Sequence, residues 1–207
     1  MRYLCAVRVI VFGASGGTGR AVIDVAVAAG HEVTAFVRDA SRLAGTTARI
    51  VTGSVLDPEQ LEAAIRGHDL VISSLGTRPW RHEDICSQGT RAIAAAMTAT
   101  GVRRILVVSS QGVGDSKFGP IGKLATPILR RSFADKVVME DVLAASDLDW
   151  TVVRPGMLTN GAPRGSWRVA DGGALVGGKI ARADVASFML SEATKCEWLR
   201  KRPTIVY

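Results

Sequence analysis

Residues 10–20 read Ile-Val-Phe-Gly-Ala-Ser-Gly-Gly-Thr-Gly-Arg, an apolar run that breaks into glycines and then into a helix-forming segment. Gly13, Gly16 and Gly19 are spaced G-x-x-G-x-x-G, with Ser15 where the dinucleotide fingerprint carries a glycine. Backbone N–H groups at the start of a helix, backed by its dipole, attract a diphosphate. Gly13 would permit the tight turn, Gly16 would let the diphosphate approach the backbone, and Gly19 would let helix and strand pack closely. Gly17 opens the helix, and Ser15 and Thr18 add hydroxyl donors. A purely structural turn is the alternative, and the strand–turn–helix context speaks against it.

The end of the next strand decides which dinucleotide. An acid there bonds the ribose 2′-OH of NAD, whereas a cation answers the 2′-phosphate of NADP. The chain reads Ala35-Phe36-Val37-Arg38-Asp39-Ala40-Ser41-Arg42. Arg38 falls at the strand end, and Ser41 and Arg42 can close on the same phosphate through hydroxyl and bidentate contacts. Asp39 competes, either by capping the turn or by pairing with Arg42. Two arginines beside one acid favour NADP.

A third group stands where a later apolar strand ends in Ser109-Ser110-Gln111. Strand ends of this kind open the ligand crevice, so Ser109 and Ser110 are candidate proton donors and Gln111 a candidate acceptor contact. Trp80 and Trp167, both in loops, are candidates for stacking on a planar acceptor, with ordinary packing as the competing explanation. His31 and His68 precede strands and sit at the wrong ends; only His82 falls on the pocket side.

These groups need strands that deliver them to one edge. Residues 8–12, 31–37, 50–52, 69–74 and 104–110 read as strands, and 17–29, 57–66 and 84–100 as helices closing at Gly30, Gly67 and Gly101. Asp57-Pro58-Glu59 supplies an N-cap, a Pro at the first helical position and a first-turn acid. That alternation predicts an α/β fold, a doubly wound parallel sheet with helices on both faces. Further on, 112–127 and 161–173 read as Gly/Pro-rich loops. Residues 135–145 and 183–193 read as helices; 150–153, the stretch near 175–176, and 204–207 read as strands. The substrate pocket is expected mainly from 111–134 and 155–178.

Bulk properties exclude several classes. A net charge of +7 invites nucleic acid, but the basic residues are scattered and aromatics are only 5%. The positive field would instead draw an anionic cofactor, and no nucleic-acid partner is expected. No apolar stretch of about 20 residues exists, so no membrane span is expected and the protein reads as cytoplasmic. Three separated cysteines make neither a disulfide framework nor a metal site.

The loop Gly13-Ala14-Ser15-Gly16-Gly17-Thr18-Gly19 resembles that of atypical short-chain dehydrogenase/reductases with NmrA-like NAD(P)-binding domains. Residues 37–43, Ser74-Leu75-Gly76-Thr77-Arg78, and the helix from Ser87 through Met97 to Val102 are similar to the flavin reductase/biliverdin-IXβ reductase group. The likeness covers most of residues 8–156, and 147–156 carry a general signature of the wider family.

The resemblance implies a single Rossmann-like domain over residues 1–207. In it Gly13, Ser15, Gly16, Gly17, Thr18 and Gly19 hold the diphosphate, and Arg38, Ser41 and Arg42 the 2′-phosphate. Ser54 and Val55 lie by the adenine; Leu75, Gly76, Thr77 and Arg78 run along the nicotinamide half; Pro155, Gly156 and Met157 flank it. Ser54 departs from the Asp usual in the family. The Tyr of the Y-x-x-x-K pair is missing, since Ser132 stands four residues before Lys136; Lys136 is still expected at the nicotinamide ribose. The histidine that the biliverdin reductases carry near Met157 is also missing.

Lacking a positioned Tyr, the chain suits acceptors that take hydride with little acid assistance. The expectation is an NADPH-dependent reductase of a planar conjugated small molecule, acting as a monomer or weak homo-oligomer. A non-catalytic NADP(H) sensor, and an isomerase or cyclase on the same fold, are the alternatives.

Overall fold

The computed structural model describes residues 6–76, 84–115, 127–172, 175 and 177–207. The first unit runs β1 (Arg8–Phe12), α1 (Gly17–Ala28) and β2 (Glu32–Val37). A 3-10 turn at Ala40–Leu43 leads to β3 (Arg49–Thr52), α2 (Pro58–Ile65), β4 (Leu70–Ser73), α3 (Ile85–Thr100) and β5 (Arg104–Val108). Then come α4 (Pro127–Ala144), β6 (Asp149–Pro155), β7 (Met157–Thr159), β8 (Arg168–Ala170), β9 (Lys179–Ala181), α5 (Arg182–Lys195) and β10 (Thr204–Val206).

Eight strands form one sheet in the order β3-β2-β1-β4-β5-β6-β10-β8. Every pairing in it is parallel except that of β10 with β8. Strands buried on both faces explain the unbroken apolar runs: Val9 to Phe12 and Val71 to Ile72 have no solvent exposure at all. One core cluster joins α1 and α5 to one face of the sheet, and a second joins α2, α3 and α4 to the other. The doubly wound α/β fold expected from the sequence is the fold observed. Between β1 and β4 the winding reverses, and that switch point opens a crevice at the strand ends.

Two side-chain caps hold helices in register. Asp57 accepts from the Gln60 N–H at 3.1 Å and opens α2 with Pro58, as the sequence predicts. Less visibly, buried Asp135 of α4 accepts from the Cys86 and Ser87 N–H groups at 3.0 and 2.9 Å, capping α3 from a neighbouring helix.

The second half corrects the expectations. The helix predicted over 135–145 begins at Pro127, because a proline at a helix start needs no N–H and the ring presets φ. Leu175 lies outside any strand, and Val176 lies outside the described residues. Strand structure falls instead at β7, β8 and β9, each only three residues, too short for a period-2 pattern to declare itself. Among the described residues no helix is long and apolar enough to cross a membrane.

Candidate functional site

A cleft of about 810 Å³ lies at the ends of β1, β2, β4 and β5. The glycine loop forms its floor. Gly13 has φ +71°, and a Cβ there would meet the Ser74 carbonyl carbon at 2.6 Å. Ser74 Oγ donates to the Phe12 and Gly13 carbonyls at 3.1 and 3.2 Å, binding loop to β4. The Gly16 N–H donates to the Gly13 carbonyl at 2.9 Å, closing the turn. No side chain caps the N-terminus of α1, so first-turn N–H groups remain available to an anion. Gly13, Ser15, Gly16, Gly17 and Thr18 line the cleft; Gly19 does not. It acts from behind, because a Cβ there would stand 2.4 Å from the Gly13 carbonyl oxygen.

At the end of β2, Arg38 and Arg42 line the cleft and both are exposed. The Arg38 side chain makes no hydrogen bond or ion pair with the described residues. Asp39 turns one oxygen inward: its Oδ1 accepts from Ser41 Oγ at 2.7 Å and the Ser41 N–H at 3.0 Å. The Ser41 hydroxyl holds the Asp39 carboxyl below its ordinary range. Asp39 therefore caps the turn, and the expected role of Ser41 changes with it. Ser41 lies off the cleft surface with its hydroxyl proton committed to Asp39. Arg20 steadies the same corner, donating to the Ser15 and Arg42 carbonyls.

Ser54 and Val55 line the wall beyond β3, joined by exposed Leu56. Ser54 Oγ accepts from the Leu56 N–H at 3.2 Å, a local turn where the family carries an acid. Leu75 and Gly76 lie after β4, also on the cleft. Thr77, Arg78, Trp80 and His82 fall outside the described residues.

At the far end of the cleft stand Ser109 and Lys136. Lys136 Nζ donates to the Ser109 carbonyl at 3.0 Å, and burial pulls its ammonium below the usual lysine range. Ser109 Oγ donates to Glu140 Oε1 at 2.6 Å. Glu140 is itself buried and clasped by Arg154 through Nε at 3.1 Å and Nη2 at 2.5 Å, with Arg202 Nε at 3.1 Å. Arg154 reaches on to Asp115 at 2.6 Å. Ser109 thus spends its one proton on a carboxylate and presents lone pairs elsewhere, which removes it as a proton donor.

Several expected contacts lie off the cleft. Ser110 Oγ donates to the neighbouring Gln111 carbonyl, and Gln111 Nε2 donates to the Leu175 carbonyl at 2.8 Å, so both tie loops together. Trp167 packs edge-on against Phe188, ring centroids 6.1 Å apart, on the α1–α5 side of the core. Pro155 and Gly156 are buried in the chain turn; a Gly156 Cβ would meet the Gly178 carbonyl oxygen at 2.7 Å. Met157 is 68% exposed. Alternation along β7 carries Leu158, its neighbour, onto the cleft instead. Ile85, Leu158 and Arg182 line the cleft without having been singled out by sequence. His31 and His68 sit at the other end of the strands; His31 Nδ1 accepts from the Val7 N–H and His68 Nε2 meets Thr34 Oγ1 at 2.9 Å. Tyr207 is bonded to Asp184 and the Ala181 N–H. Among the described residues no group of three His, Cys, Asp or Glu is placed to hold a metal ion.

A sheet that reverses its winding over an uncapped glycine loop, with Arg38 and Arg42 at the edge of the crevice, defines a dinucleotide-binding α/β protein. Close packing at Gly13 and Gly19, free helix N–H groups and unpaired Arg38 all fit such a ligand. Residues 13–195 match the family described as NAD(P)H-binding, and the chain belongs to that family. A chloroplastic protein of Arabidopsis thaliana is 28% identical over 196 residues, 86% of this chain and 69% of its own length. The 3-diazoavenalumate denitrifying reductase of a Streptomyces species is 28% identical over 174 residues, 73% of this chain and 56% of its own length. The anaerobillin reductase ChuY of Escherichia coli O157:H7 superposes with a TM-score of 0.81 at 25% identity, covering 96% of each chain. The resemblance to atypical short-chain dehydrogenase/reductases therefore holds, and relatives of this chain include reductases.

Proposed function

We propose that this protein is an NADPH-dependent reductase of a planar conjugated acceptor, of the flavin, quinone or tetrapyrrole-like class. The observation that carries the cofactor choice is Arg38, unpaired at the end of β2 while its neighbour Asp39 is engaged by Ser41. Two guanidiniums beside one acid suit a 2′-phosphate better than a ribose 2′-OH.

Bound NADPH would supply the hydride. The chain's own contribution is position. The first-turn N–H groups of α1 bind the diphosphate, Ser54 to Leu56 face the adenine, and Lys136 holds the nicotinamide ribose. Glu140, through Ser109, keeps the end of β5 rigid beside the reacting ring. Leu158, Ile85 and Leu75 supply apolar surface to the cleft against which a planar ring can lie. Lys136, its ammonium pulled by burial below the usual lysine range, is a proton-bearing group on that wall of the cleft. Reductases among the relatives support the reaction type.

The test is oxidation of NADPH by the purified protein with FMN, menadione or dichlorophenolindophenol as acceptor. Turnover with at least one is expected. Micromolar NADPH binding without oxidation across the panel overturns the catalytic reading in favour of a sensor.

A further inference from the structure

Arg182 is the first residue of α5, yet its side chain reaches across to the glycine loop of α1. A Cβ built on Gly17 would stand 2.9 Å from Arg182 Nε and 3.1 Å from its Cδ; the three nearest atoms all belong to this arginine. Gly17 does not have a positive φ, so its backbone conformation is open to alanine. Room for the guanidinium is what its missing side chain provides.

The guanidinium is also held in place. Arg182 Nη1 donates to Asn160 Oδ1 at 2.6 Å, and among the described residues no carboxylate pairs with it. Both Gly17 and Arg182 line the cleft, so the remaining N–H groups of the fork border the space above the loop. A cation with no counter-ion among the described residues, fixed beside backbone donors, suits an anion. Its fork suits two phosphoryl oxygens better than a single point charge does.

We propose that Arg182 is a ligand of the dinucleotide's diphosphate, closing over it from α5 while the loop amides hold it from α1. The proposal rests on dinucleotide binding as read above, and adds a residue that lies far from the glycine motif in sequence. It assigns Gly17 a role distinct from the turn-forming glycines: it seats the arginine.

The experiment titrates NADPH, NADH and 2′-AMP against the unaltered protein, Arg182→Ala and Arg38→Ala. 2′-AMP carries the adenosine and the 2′-phosphate but no diphosphate. Arg182→Ala is expected to weaken NADPH and NADH alike, by about 10- to 100-fold for loss of charge-assisted bonds, while 2′-AMP affinity stays within about twofold. Arg38→Ala is expected to weaken NADPH and 2′-AMP and to spare NADH. Gly17→Ala, which shifts the guanidinium without deleting it, should weaken both dinucleotides in the same direction and by less than Arg182→Ala does. It should add less than about twofold once Arg182 is alanine.

Unchanged NADPH and NADH affinities in Arg182→Ala overturn the inference, as does a loss of 2′-AMP as large as that of NADPH. A Gly17→Ala loss of equal size in both backgrounds overturns the seating of Arg182 on the loop. A defect confined to KM for anionic acceptors assigns the guanidinium to the acceptor and overturns it too. Absence of any dinucleotide binding by the unaltered protein overturns the functional reading itself, together with this one.

Discussion

The Ser109 hydroxyl donates to Glu140 at 2.6 Å, and the same carboxylate is gripped by the buried guanidinium of Arg154. A buried serine at the far end of the cleft is thereby tied to an ionic cluster in the core. The consequence is directional: the hydroxyl proton points inward, away from any acceptor in the cleft. Lys136, bonded to the Ser109 carbonyl, remains as the proton-bearing group on that wall.

Ser109→Ala is therefore expected to lower kcat by less than about tenfold, since removing a true general acid costs about a hundredfold or more. Steady-state rates with a menadione acceptor read this directly. A loss of a hundredfold or more would return the proton to Ser109.

Glu140→Ala has a different expected outcome, because it strands Arg154 with only Asp115 at its far end. Breaking a buried pair costs about 3–5 kcal/mol of stability. Urea unfolding midpoints, measured beside those of Ser109→Ala, should separate the two variants clearly; equal midpoints would contradict the ionic account.

Arg38→Glu should reduce NADPH affinity far more than NADH affinity. A charge reversal beside a 2′-phosphate replaces attraction with repulsion, while a 2′-hydroxyl is nearly indifferent to it. Equal losses for the two dinucleotides would remove the phosphate assignment at the end of β2.

Two glycines of positionally different kinds should respond differently to alanine. Gly19→Ala forces a Cβ to 2.4 Å from the Gly13 carbonyl oxygen, a backbone atom that cannot step aside. Loss of dinucleotide binding and about 1–3 kcal/mol of destabilisation are expected from such overpacking. Gly30→Ala, at φ +81° with nothing within 4 Å, should cost about 1–2 kcal/mol through backbone strain and leave binding intact. Thermal unfolding and an NADPH titration on each variant check both statements.

The pH dependence of stability has one defined contributor far from the cleft. Hydrogen bonds from the Arg8 side chain and N–H lower Asp69 to about 2 from an ordinary 3.8. A carboxylate depressed on folding stabilises the fold above its unfolded pKa, and that contribution fades as pH falls from about 4 toward 2. Both side chains are well exposed, so solvent screening keeps the effect below about 1 kcal/mol. Asp69→Asn should be less stable than the unaltered protein at pH 6, and the difference should shrink as pH falls toward and through 2. A constant difference at both pH values would contradict the pairing.

Much of the architecture was legible along the chain because its signals are local. Buried parallel strands appear as apolar runs, Gly30 and Gly101 end helices where left-handed φ is needed, and Asp57-Pro58 opens one. The glycine loop and Arg38 were legible for the same reason, since strand, turn and helix follow one another within a few residues. The second half was less so. Its strands of three residues carry no period, and their pairing joins segments about 20 to 40 residues apart.

What the residues alone determined is the class of fold and the strand–glycine-loop–helix unit of an NAD(P)H-binding family, with Arg38 at the end of the next strand. Each follows from backbone chemistry within one strand–turn–helix unit. Tertiary structure alone decided which side chains complete the site. It put Asp39 on Ser41, turned the Ser109 proton toward Glu140, placed Leu158 rather than Met157 on the cleft, and laid Arg182 over Gly17. Those outcomes depend on where distant helices pack and which way a short strand alternates, and sequence spacing does not encode either.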